Sequence, residues 1–130
     1  MDRFKYRLWH KESKEYDEQY YMMVYGDGTV RCIEDSSWYM DYSDEYVIEQ
    51  CTGLKDKNGK LIYEGDIVFS PLDGGTQKVV YWDNGLASFM AYNRYPDKHY
   101  TQRIGDRYFI ELGFEVIGNI HENADLLGEE

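Results

Sequence analysis

Long apolar runs are missing from this chain, as are clustered cations and metal-binding words. No stretch approaches the roughly 20 apolar residues that cross a bilayer. The opening Met1-Asp2-Arg3-Phe4-Lys5-Tyr6-Arg7 alternates charge with aromatics and has no signal-peptide core. The cytosol is the expected compartment, with no membrane partner. Cysteine is scarce: Cys32 and Cys51 form no CxxC pair and fit reduced thiols. Neither has a neighbouring cation to activate it, and Glu34-Asp35 and Glu49 would oppose ionisation, so a cysteine nucleophile is not expected. GxSxG, P-loop and GxGxxG words are absent, and His10, His99 and His121 lie far apart. His121-Glu122 is at most half a metal site, so no metal and no cofactor are expected. Glu64 and Asp66 could serve hydrolysis, but Asp66 more simply accepts a hydrogen bond in the turn made by Gly65. No catalytic residue is assigned.

The net charge of -11 disfavours direct nucleic-acid binding, which needs clustered Lys and Arg. Cys32 to Leu54 holds six acids without a Lys or Arg, and so does Glu111 to Glu130. The first fourteen residues are basic on balance, and Arg94, Lys98, Arg103 and Arg107 form a second mildly basic stretch. Such runs are usually solvated faces. They could also meet between subunits, where complementary charge sets orientation more than affinity.

What the chain does have is aromatics and turns. Fourteen Tyr, five Phe and three Trp exceed what a 130-residue core can bury. Tyr, with a large ring and a polar tip, suits a contact surface. Tyr20, Tyr21, Trp38, Tyr39, Tyr42, Tyr92 and Tyr95 are the candidate interface residues.

Alternation predicts a strand over Phe4–Trp9, with Phe4, Tyr6 and Leu8 on one face. A polar turn from His10 to Glu15 leads to a return strand over Tyr20–Tyr25, and Gly26-Asp27-Gly28 leads to another over Thr29–Ile33. Glu34–Glu45 reads as a long loop, and Tyr46–Cys51 as a strand. Gly65–Phe69, Gln77–Trp82 and Leu86–Tyr92 read as strands divided by Asp73-Gly74-Gly75 and Asp83-Asn84-Gly85. Asn93–Gly105 reads as a surface loop, Tyr108–Leu112 and Phe114–Ile120 as closing strands, and Ala124–Leu127 as one helical turn capped by Asn123.

These signals predict an all-β, mainly β fold: meander hairpins plus a small SH3-like, partly open barrel with little helix. One domain, 1–130, is expected, with an N-terminal meander over about 1–50 and a barrel-forming part over about 51–122. Turn and motif positions are Gly53, Asp56, Asn58, Gly59, Gly65, Asp66, Asn84 and Gly85; Asn58 and Gly59 both tolerate positive φ.

The long word Cys51-Thr52-Gly53-Leu54-Lys55-Asp56-Lys57-Asn58-Gly59-Lys60-Leu61-Ile62-Tyr63-Glu64-Gly65-Asp66-Ile67-Val68 resembles the signature of the YopX proteins, which phages and prophages of Gram-positive bacteria encode. Phe4–Trp9 resembles that family's first strand, and Phe114–Asn123 its C-terminal motif. Cys51 stands where an aromatic is common, and Ala124 where proline is. The resemblance implies a YopX-like β fold, phage origin and homo-oligomers, and supplies no activity. The reading is a non-enzymatic binding or self-assembling protein with a host or phage protein as possible partner. The alternatives are an acidic DNA mimic that inhibits a basic host protein, and an enzyme of unrecognised type.

Overall fold

A computed structural model of the chain describes residues 4–17, 22–32, 40–72, 77–92, 101–105 and 107–127. Two compact units divide it: Tyr6–Glu49, and Gln50–Glu130 together with Met1–Lys5. The fold is mainly β, as the turn spacing predicts.

In the Tyr6–Glu49 unit, β1 (Tyr6–His10) pairs antiparallel with β2 (Glu15–Tyr16), and β3 (Met22–Val24) with β4 (Val30–Cys32). The partner of the first strand is therefore Glu15–Tyr16, at the end of the segment that reads as turn. The reversal is tighter than its polarity implies because Lys14 adopts φ 56°, and its N–H reaches the His10 carbonyl at 2.9 Å. The predicted faces of β1 also change. Leu8 and Trp9 are both buried, while Phe4 and Tyr6 are exposed. Trp9 turns inward because it packs edge-on against Tyr16, with ring centroids 5.0 Å apart. An ion pair anchors this unit. The buried carboxylate of Glu49 accepts from Arg7 Nε and from the Tyr16 hydroxyl, each at 2.8 Å. Ser43–Glu45 forms a 3₁₀ turn, and both cysteines are free.

The strand predicted over Tyr46–Cys51 extends further, as β5 (Tyr46–Lys55). In the Gln50–Glu130 unit its second half pairs with β6 (Leu61–Tyr63). Between the paired couples Cys51↔Tyr63 and Lys55↔Leu61 the register shifts, and the surplus residues include Gly53. Gly53 adopts φ 83°, which a side-chain-bearing residue resists, so the bulge sits there.

Five further strands form one antiparallel sheet, curled into a half-barrel. They are β7 (Asp66–Phe69), β8 (Gln77–Asp83), β9 (Ser88–Tyr92), β10 (Thr101–Arg103) and β11 (Glu115–Asn119), in the order β10-β9-β8-β7-β11. Side-chain alternation sorts its residues between two cores. Val68, Val80 and Ala91 face a cluster with Ile62, Ile104, Phe109, Phe114 and Val116. Ile67 and Val79 face the other way, toward Leu127.

Three expectations need correction here. Tyr108–Leu112 is not a strand: Arg107–Glu111 forms the helix α1. The helix sends Phe109 into the same core that Leu112, just past its end, packs against, and Arg107 Nε reaches Glu111 at 2.7 Å. Gly113, at φ 64°, then ends the turn. Part of the supposed loop over Asn93–Gly105 is β10, whose Arg103 pairs with Met90. Asn123 does precede a 3₁₀ turn, Ala124–Leu127, but its side-chain oxygen accepts instead from the Asn119 N–H at 3.1 Å.

Candidate functional site

Asp56 organises the central word. Its Oδ1 accepts the Asn58 and Lys60 N–H groups, both at 2.9 Å, which closes the Asn58-Gly59 reversal. Gly59 takes positive φ (84°) and Asn58 does not, because the turn is a three-residue loop. The other oxygen, Oδ2, accepts the Val116 N–H of β11 at 2.9 Å, from sixty residues along the chain. Burial would raise the Asp56 carboxyl, but the Val116, Lys60 and Asn58 donors and the Lys60 charge outweigh it and hold it below its ordinary value.

Asp66 performs a similar task at the next corner. It is buried, and its Oδ2 accepts the Tyr63 N–H at 2.8 Å across the turn where Gly65 adopts φ 83°. The Gly65 N–H and carbonyl then tie to Val80 and Ile120. Asp56 and Asp66 thus both accept hydrogen bonds from the backbone, as does Glu64 from the Gln50 N–H at 2.9 Å.

The C-terminal word has its own network. Asn119 Oδ1 accepts the His121 and Glu122 N–H groups, and Asn119 Nδ2 donates to Glu122 at 2.8 Å. A side-chain carbon at Gly118 would sit 2.5 Å from Asn123 Oδ1, so any larger residue would have to displace Asn123. His121-Glu122 therefore belongs to a turn. Among the described residues, no group of three His, Cys, Asp or Glu is placed to hold a metal.

The hairpin of β8 and β9 exposes two large apolar side chains near its tip. Trp82 and Leu86 are 42% and 54% exposed, and Trp82 packs edge-on against Phe89 with centroids 4.9 Å apart. The turn signal at Asn84-Gly85 lies at this tip, although Ala87 rather than Gly85 takes positive φ (49°). Asn84 Oδ1 accepts the Trp82 indole N–H at 2.8 Å, and Asp83 Oδ1 accepts the Leu86 N–H, so the tip holds the ring in place. Sequence reading missed Trp82 and Leu86; the exposed half of the strand alternation was the signal.

Of the candidate interface residues, Tyr20, Tyr21, Trp38, Tyr39 and Tyr95 lie outside the described residues. Tyr42 and Tyr92 are half-buried. Tyr92 packs edge-on against Tyr81 at 4.8 Å beside the Ile67 core, and the Tyr42 N–H donates to Val30.

A cleft of about 200 Å³ opens beside the central turn. Leu54, Ile104, Phe109 and Phe114 line it, with Lys55 and Lys57 at its exposed margin. Phe109 and Phe114, both buried, stack face to face 4.2 Å apart on either side of its floor. It is smaller than the roughly 300–1,000 Å³ of drug-sized ligand pockets.

This architecture has known counterparts. The family described as YopX protein matches residues 5–128. The chain belongs to the YopX family. Among solved structures, protein EF1440 from Enterococcus faecalis is similar at 26% identity and a TM-score of 0.55, covering 95% of this chain and 96% of its own. Protein yopX from Bacillus subtilis shares the fold at 19% identity and a TM-score of 0.56, with 96% of each chain covered. No curated protein matches. The matched residues include Asp56 and Asp66 and the turns whose backbone N–H groups they hold.

Proposed function

We propose that this YopX protein is a non-enzymatic, phage- or prophage-encoded protein of the bacterial cytosol, and that it acts by binding and assembles with copies of itself. One observation carries the reading: the exposed Trp82–Leu86 surface on a hairpin whose own hydrogen bonds fix the indole. Isolated exposed apolar residues are ordinary. Here two large ones share a single hairpin tip, with the Phe89 ring alongside. A pre-positioned Trp loses little freedom on contact, which is why such residues dominate interface energetics. The signature acids support the same reading, since their oxygens are engaged with backbone N–H groups.

The test is sedimentation velocity from about 1 to about 100 µM, the range in which weak and moderate subunit contacts titrate. The wild type is expected to sediment as an oligomer. The Trp82→Ser, Leu86→Ser double variant is expected to shift to monomer with an unchanged circular dichroism spectrum. A wild-type monomer throughout that range, or a double variant that assembles like wild type, would refute the proposal.

A further inference from the structure

We infer that Asn84-Gly85, at the tip of the β8–β9 hairpin, is a self-modification site. There the chain converts its own Asn84 to aspartate and isoaspartate, and the second product frees the Trp82 indole. The reaction needs only water. The Gly85 backbone nitrogen gives its proton to solvent and bonds to Asn84 Cγ. The Cγ–Nδ2 bond then breaks, and Nδ2 takes up a proton and leaves as ammonia. Water opens the resulting cyclic imide at either carbonyl. One water enters, one ammonia leaves, and nothing is oxidised or reduced.

The chain has two Asn-Gly pairs, where no Cβ shields the attacking nitrogen, and the fold holds only one of them. At Asn58-Gly59 the Gly59 N–H donates to the Asp56 carbonyl at 3.0 Å, and Asn58 Nδ2 donates to Glu115 at 3.2 Å. Removing the Gly59 proton would leave a nitrogen anion facing a carbonyl oxygen, so attacking atom and leaving group are both restrained. Gly28, which follows Asp27, is held likewise by the Tyr25 carbonyl at 2.9 Å. At the hairpin tip, no described residue accepts the Gly85 N–H or the Asn84 amide N–H₂. Asn84 to Ala87 are exposed, so water reaches both steps. The 2.8 Å bond from Trp82 leaves Cγ open, because it engages Oδ1. A donor there also stabilises the negative charge that attack places on that oxygen. Isoaspartate lengthens the main chain by one carbon and shifts the carboxylate away from the indole, which ends the bond.

The modification does not rest on the self-assembly reading; only its effect on assembly does. The full chain is aged at mildly alkaline pH and digested, and mass spectrometry follows each Asn-Gly peptide, with isoaspartate resolved by chromatography. Asn84 is expected to convert at least about tenfold faster than Asn58, the factor that one net hydrogen bond sets on a rate. In urea, where the fold holds neither pair, the two rates are expected to agree within about twofold. Gly85→Ala, whose Cβ would stand 3.3 Å from Asp83 Oδ1, shields the nitrogen and is expected to stop conversion at Asn84. As isoaspartate accumulates, the Trp82 indole N–H signal of the ¹⁵N-labelled chain is expected to move to a second position. Equal rates in the folded chain, a difference that persists in urea, or an unmoved indole signal at full conversion would overturn the inference. Assembly that survives full conversion would count against the Trp82–Leu86 contact alone.

Discussion

Replacing Asp56 by Asn tests whether the signature acid holds the fold together. The carboxylate accepts three backbone N–H groups, and hydrogen bonds to a charged partner are worth about 1.5–3 kcal/mol each. Two of the donors, Asn58 and Lys60, lie in an exposed turn where water can replace the lost acceptor, so they contribute little to the difference. The Val116 N–H is part-buried, and an Asn that keeps its oxygen toward the turn directs its amide N–H₂ at that donor. The net loss is about 2–3 kcal/mol at neutral pH. Urea unfolding at pH 7, read from amide signals of the Gln50–Glu130 unit, measures it. The carboxyl is held below its ordinary value in the folded state. Its ionic stabilisation is therefore complete above the unfolded value of 3.8 and disappears as pH falls through the folded value. The difference between wild type and variant should accordingly be full at pH 7 and narrow below about pH 4. A loss under about 0.5 kcal/mol, the usual size for an exposed polar substitution, would refute the reasoning. A gap that widens in acid would do the same.

Further outcomes follow from the same geometry. Gly118→Ala places a carbon against Asn123 and should cost about 1–2 kcal/mol by thermal unfolding, whereas a neutral or stabilising result would show that Asn123 yields freely. Glu49→Ala strips Arg7 and Tyr16 of a shared acceptor. Because Arg7 is partly solvated, the expected cost of about 2–3 kcal/mol is below that of breaking a fully buried pair, and urea unfolding read from Tyr6–Glu49 amides should show it. Gly65→Ala must take up φ 83° and should cost about 1–2 kcal/mol, checked by the same unfolding assay.

The strands and turns of the middle of the chain were legible because their signals are local. The bend after Asp56 is set by residues within a few positions of each other, whereas the bulge at Gly53 depends on pairing with Leu61–Tyr63. The Arg107–Glu111 helix was not legible, since Tyr108-Phe109-Ile110-Glu111-Leu112 is apolar enough to serve either period. What decided it was the stack of Phe109 on Phe114 and the reversal at Gly113, neither of which has a one-dimensional signature. The cleft was hidden for the same reason. Its walls come from residue 54 and residues 104–114, which only the fold brings together. Asp56 was recognisable as a turn residue, but its bond to Val116 was not, because a span of sixty positions leaves no local mark.

The strand order has a consequence for how this polypeptide matures at the ribosome. β7 gains its neighbour on one side almost at once, from Gln77–Asp83, but its neighbour on the other side is Glu115–Asn119. During translation the Ile67-Val68-Phe69 border therefore waits, unpaired, for some fifty further residues to emerge. Such open borders recruit other chains.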